Sequence, residues 1–129
     1  MANDPLRGYP IVAIPPTHRL RVLAGSRVGI TFDLGWERVR VGRPYGYRPD
    51  EFYLDEAAAV VGRGLYFVSD GNGGHYVLHD GLGAPPVIDG QQVRQMVLRE
   101  GVQIVIGPVL VVYEAIPEDP QPHVVEAPT

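Results

Sequence analysis

The sequence predicts an all-β domain, a sandwich or a barrel, on three observations. Gly (16) and Pro (13) are numerous but scattered between short apolar runs, the pattern expected where many turns join short strands. Apolar and charged residues alternate at period two, as in Arg19-Leu20-Arg21-Val22-Leu23 and Glu37-Arg38-Val39-Arg40-Val41, so each run turns one face inward. Tight-turn pairs separate the runs: Asp70-Gly71 and Asn72-Gly73, Asp89-Gly90, and Gly107-Pro108.

In chain order, residues 19–23 form the first strand and residues 24–27 a turn. Residues 28–34 form a second strand, Gly35-Trp36 a bend, and residues 37–41 a third strand with Val39 and Val41 on its inner face. Residues 52–54 make a short strand. Residues 65–68 and 76–78 flank the turn at 69–74 as a hairpin, residues 87–88 and 91–93 flank Asp89-Gly90 as a second, and residues 102–106 and 109–113 are the final pair. The one helical candidate, residues 56–59, is too short to stand alone. No internal repeat is visible.

The ends differ from the middle. Residues 1–18 hold Pro5, Pro10, Pro15 and Pro16, and residues 115–129 hold Pro117, Pro120, Pro122 and Pro128 among acidic neighbours. Proline fixes φ and cannot donate to a ladder, so these segments are expected to be extended arms flanking a domain at 19–114. A partner or a neighbouring copy is the expected cause of any order in them. In the first arm, Tyr9, Ile11, Val12 and Ile14 are the candidate partner contacts, the apolar run between prolines being suited to strand addition.

Composition excludes more than it assigns. A net charge of −4 argues against a nucleic-acid partner. No stretch reaches the ~18 apolar residues of a membrane span, and residues 1–10 lack the basic-then-apolar pattern of a secretory signal. The expected location is the cytoplasm, or a particle assembled there. Cysteine is absent, and all eleven basic residues are Arg, a side chain enriched at interfaces.

Catalytic chemistry is hard to place. Ser26 and Ser69 lie in turns and outside any nucleophile elbow, and with neither Cys nor Lys few nucleophiles remain. His75 and His79 share a strand face, but two histidines without a third fixed ligand make a poor metal site. The glycine-rich 71–74 segment precedes a strand, not the helix a phosphate loop requires. Asp50, Glu51, Asp55 and Glu56 are expected to form a solvated loop. No enzyme, no metal and no cofactor is expected.

The order of the segments resembles the forkhead-associated (FHA) domain. Val39-Arg40-Val41-Gly42-Arg43 resembles that family's apolar-x-apolar-Gly-Arg signature, and residues 52–54 the strand after it. Tyr76-Val77-Leu78-His79-Asp80 resembles its aromatic-x-Leu-x-Asp strand, and residues 87–93 its Val-Asn-Gly-x-x-Val hairpin. Residues 98–107 resemble its Leu-x-x-Gly-Asp-x-Ile-x-Ile-Gly ending, and residues 110–113 would be the last strand. The resemblance implies a β-sandwich of about eleven strands whose loops at one end read phosphothreonine. Those loops depart from the pattern. The family's Ser-Arg-x-His falls on Gly62-Arg63-Gly64-Leu65, and its Ser-x-Asn-Gly-Thr loop on residues 82–86. Asp89 stands where the hairpin usually has Asn. Of the phosphate contacts Arg43 is kept, with Arg63 and Arg48 as candidate substitutes.

The expected function is therefore a phospho-independent protein-binding module or a subunit of a larger assembly, one form being a structural subunit of a phage or injection particle held by its arms. Trp36, Tyr9, Tyr45 and Tyr47 are candidate aromatic anchors. The alternative is a signalling domain that binds phosphothreonine through Arg43 and Arg63.

Overall fold

A computed structural model describes residues 11–42 and 48–117 of the chain. Eleven strands and one short helix make two sheets packed face to face. The first sheet has the order β2-β1-β11-β10-β7-β8, built from β1 (His18–Ala24), β2 (Thr31–Asp33), β7 (Val87–Ile88), β8 (Gln91–Gln92), β10 (Gln103–Ile106) and β11 (Val109–Ala115). The second has the order β4-β3-β5-β6-β9, built from β3 (Arg38–Gly42), β4 (Glu51–Tyr53), β5 (Leu65–Ser69), β6 (His75–His79) and β9 (Gln95–Val97). Every pairing is antiparallel except β3 with β4.

The period-two alternation fixes which side chains meet between the sheets. Leu20 and Val22 of β1, Ile104 and Ile106 of β10, and Val109, Val111 and Tyr113 of β11 point inward from one sheet. Val39 and Val41 of β3, Leu65 and Phe67 of β5, and Val77 of β6 meet them from the other. Each such side chain is withdrawn from water, a gain of about 2 kcal/mol apiece. The Asp89-Gly90 turn between β7 and β8 has positive φ at both central residues (54° and 80°), as a two-residue hairpin requires.

Three elements differ from the sequence expectation. The second strand is confined to Thr31–Asp33, because pairing with β1 covers only Arg19 to Arg21; residues 26–30 turn instead, with Gly29 and Ile30 bonded to the backbone of Val22. The helix α1 (Asp55–Val61) is longer than the alanine run suggested. Packing explains it: Ala57 and Val61 are fully buried across one end of the sandwich against β3 and β10, and tertiary burial sustains helices too short to persist alone. Strand β9 has no alternating apolar signal, since Gln95 and Val97 are exposed and Met96 alone reaches the core.

The carboxylates expected in a solvated loop are largely engaged. Parallel pairing of β3 and β4 sets Arg40 beside Glu51, and both side chains are close to full burial. The Arg40 Nη2 and Nε both donate to Glu51 Oε2. Glu56 accepts from the amide and hydroxyl of Ser26, and Asp50 from Arg48. Asp55 is the exposed member.

Removing one partner of the Arg40–Glu51 pair leaves a buried guanidinium or carboxylate uncompensated. Glu51→Leu is expected to cost about 3–5 kcal/mol in denaturant unfolding. The double variant Arg40→Met with Glu51→Leu should recover most of that loss, and a double-mutant cycle measures the coupling directly.

Candidate functional site

Two ends of the sandwich gather polar groups, and β6 runs between them. At the apical end lie α1, the segment 62–64 that follows it, and the loop 80–86 between β6 and β7. At the basal end lie the start of β1, the 70–74 turn, the 98–102 turn and the end of β11. His79 and His75 sit at the two ends of β6, on its inward face with Val77.

The apical loops close on one another. His79 Nε2 donates to the Val61 carbonyl at the end of α1 (2.8 Å), and the Gly81 amide donates back to His79 Nδ1 (3.1 Å). The Ala84 amide donates to the Val60 carbonyl (3.0 Å), and the Asp80 amide to the Gly64 carbonyl (3.0 Å). Asp80 Oδ1 accepts from the Leu82 amide (2.8 Å), a local bond that fixes the loop tip. Arg94 donates to the Asp80 carbonyl (3.1 Å).

Glycines make this closure possible. Gly62 has φ +82° and ψ −152°, a region open to almost no other residue, and a Cβ there would stand 2.9 Å from the Leu82 carbonyl oxygen. A Cβ on Gly83 would stand 2.9 Å from the Val61 carbonyl group, and one on Gly64 would overlap the Asp80 carboxylate. The closed loops present apolar side chains to solvent beside the charged Arg63 and Asp80: Leu82 is 73% exposed, and Val60 is exposed on α1.

Of the arginines singled out in the sequence, Arg48 and Arg63 lie among the described residues. Arg43 lies outside them, as do Tyr9, Tyr45 and Tyr47. Arg48 is turned to its own loop, where Nε and Nη2 each lie 3.1 Å from an Asp50 oxygen and the backbone amide donates to the Tyr53 hydroxyl (2.7 Å). Arg63 is exposed between Gly62 and Gly64 and has interactions within the chain. Leu65, at the position of the family's histidine, is wholly buried in the core.

The arm residues also find partners in the chain itself. Ala13 bridges Trp36; the Ile14 amide donates to the Gly35 carbonyl and the Glu37 amide to the Val12 carbonyl, each at 2.9 Å. Ile11 and Val12 keep exposed side chains, while Ile14 is half-buried. Trp36 packs on the core near Phe32, so it serves the domain's own interior.

The basal end holds a cluster the sequence reading did not assemble. The His75 Nδ1 lies 2.8 Å from the Tyr113 hydroxyl, and the His18 ring stacks on Tyr113 with centroids 4.6 Å apart. His18 Nε2 meets Glu100 Oε2 (2.9 Å), and Thr17 Oγ1 lies 2.8 Å from both His18 Nδ1 and the Gly73 carbonyl. Burial, with His18 beside it, holds the His75 ring down to about 4 from the ordinary 6.5, and burial pushes the Tyr113 hydroxyl up to about 12. The two histidines expected to share a face do so. That face is the core, and among the described residues no three His, Asp or Glu side chains group as metal ligands would. Ser69 Oγ accepts from the Gly71 amide as a turn residue, and Ser26 binds Glu56.

No family model and no curated protein matches the sequence. Solved structures do match the fold. An FHA domain studied for phosphothreonine-dependent interactions superposes with a TM-score of 0.63 at 20% identity, over 79% of this chain and 99% of that one. The FHA domain of the CT664 protein from Chlamydia trachomatis gives 0.63 at 14% identity, over 78% and 99%. The cytoplasmic domain of PscD, a sorting-platform protein of the type III secretion system of P. aeruginosa, gives 0.58 at 28% identity, over 81% and 82%. Two sheets in this strand order, overlapping FHA domains along nearly their whole length, make the chain an FHA-fold β-sandwich.

Proposed function

We propose that the chain is a non-catalytic protein-binding module that works without reading phosphothreonine, as a subunit of a larger assembly. The observation that carries this reading is the closure of the apical loops. Where the resemblance places a phosphate-binding serine, Gly62 lies in a glycine-only conformation against the Leu82 carbonyl. Where it places an asparagine clamp, the 82–86 loop bonds the end of α1. A single guanidinium supplies about 2 kcal/mol through a charged hydrogen bond, whereas micromolar peptide binding needs about 8.

The surfaces left for a partner are apolar. Leu82 and Val60 crown the apical end. On the outer face of the second sheet, register lines up Arg38, Val68, Tyr76 and Val97 in one row, and Arg40, Tyr66, Leu78 and Gln95 in the next, an apolar strip between charged and polar ends. Outer faces of antiparallel sheets are ordinarily polar, yet Val97 is 75% exposed on edge strand β9. Ile11 and Val12 add an apolar edge where the N-terminal arm meets the domain. The similarity to PscD, a sorting-platform protein, supports the assembly reading.

Phosphothreonine peptides are expected to bind no better than their unphosphorylated forms by calorimetry, and Arg43→Ala or Arg63→Ala should change nothing. A phosphate-dependent gain of tenfold or more, lost in Arg43→Ala, would instead establish the signalling alternative. Returning serine to position 62 should cost about 1–3 kcal/mol of stability through its backbone conformation without creating phosphate affinity.

Light scattering on the full chain and on residues 18–116 tests the arms as assembly contacts. An oligomer that falls to a monomer on trimming is the expected outcome. Monomers in both forms would remove self-assembly and leave a foreign partner.

A further inference from the structure

The basal cluster is more than a cap on the core, because both ends of the domain are tied to it. The Ile116 amide donates to the Thr17 carbonyl (3.0 Å), so the strands entering and leaving the sandwich are bonded to each other next to His18. The Thr17 hydroxyl has one hydrogen, and the Gly73 carbonyl can only accept it. The same hydroxyl reaches His18 Nδ1, and His18 Nε2 meets Glu100 Oε2, so both ring nitrogens of His18 have a partner.

His75 is held in the opposite way. It is 2% exposed, its ring centroid is 5.7 Å from that of His18, and Nδ1 faces the Tyr113 hydroxyl. Its Nε2 is buried with no hydrogen-bond partner. A second ring proton would place a charged donor where no acceptor stands, a costly arrangement. The groups facing His75 are His18 from β1, Tyr113 from β11 and Asp70 from the 70–74 turn, with Glu100 behind His18. Asp70 is at the exposed turn and is committed to the amides of Asn72 and Gly74. Moving that turn outward is the direct way for a charged His75 to reach water, and it breaks the Thr17–Gly73 bond.

We propose that His75 is the trigger of an acid-operated latch: protonation of its buried ring frees the 70–74 turn and, through Thr17, releases the bonded Thr17–Ile116 ends of the domain. The latch stands apart from the partner-binding reading, since it concerns how the ends are held and not what they touch. The sign follows from the ring's depressed value: His75 resists protonation when folded and accepts it readily when freed, so the closed form keeps its full advantage above pH 6.5 and loses it as pH falls toward 4.

Amide exchange by NMR on the full chain tests this, corrected for the intrinsic pH dependence of exchange, with the His75 ring followed by its own resonances. Between pH 6.5 and 4.5 the Ile116 amide should lose at least tenfold in protection while the β10 amides keep theirs. In His75→Gln that step should vanish, and Thr17→Val should expose Ile116 already at pH 7.5. Loss of β10 protection in the same step would show global acid unfolding and overturn the latch. So would an unchanged Ile116 step in a folded His75→Gln variant, or a His75 ring that titrates near 6.5 with no change at Ile116.

Discussion

One strand, β6, ties the two ends of the molecule to its core. Its inward row is His75, Val77 and His79, three buried positions two residues apart. Val77 belongs to the apolar interior, and the flanking histidines carry that interior's order outward to the loops. His79 reaches the last carbonyl of α1 and takes a bond from the following turn. His75 reaches Tyr113 across the gap between the sheets. Imidazole suits this place because it can be packed like an aromatic ring while still bonding, through both nitrogens at His79 and through Nδ1 at His75. Phenylalanine at either position would fill the space and leave a backbone carbonyl or a phenol without its partner.

Much of the architecture was legible in the sequence because buried strands advertise themselves. Val39 and Val41, Leu65 and Phe67, and Ile104 and Ile106 obey the period-two rule that half-burial imposes. The Asp89-Gly90 pair announced its own turn. Where the sequence was silent, the cause is physical. Strand β9 is an edge strand held by β6 alone, so only Met96 needs to be apolar. The helix α1 owes its existence to the open end of the sandwich it covers, a long-range fact. Glu51 reads as a loop carboxylate until the parallel pairing of β4 with β3 sets it against Arg40.

The candidate site was legible as an absence and illegible as a replacement. Glycine at 62 and the departure of residues 82–86 from the resembled pattern are visible in one dimension. That these two segments bond each other is not, because the contact joins residues 60–64 to residues 80–84. The basal cluster was hidden for the same reason. Thr17, His18, Gly73, His75, Glu100 and Tyr113 come from four separate segments and share no motif.

The two ends of the sandwich are closed by different kinds of bond, backbone amides at the apical end and side-chain rings at the basal end. A phosphate reader needs apical donors held apart, unsatisfied until the ligand arrives, so its loops carry a standing cost in stability. Here the apical amides of Asp80, Gly81, Leu82 and Ala84 are all satisfied within the chain. Such an end is satisfied without a ligand, and its most exposed apolar side chain, Leu82, is held at the loop tip by the bonds around it. A rigid loop that holds an apolar side chain in water loses little entropy on docking it, which is the physical requirement for an anchor in a protein interface.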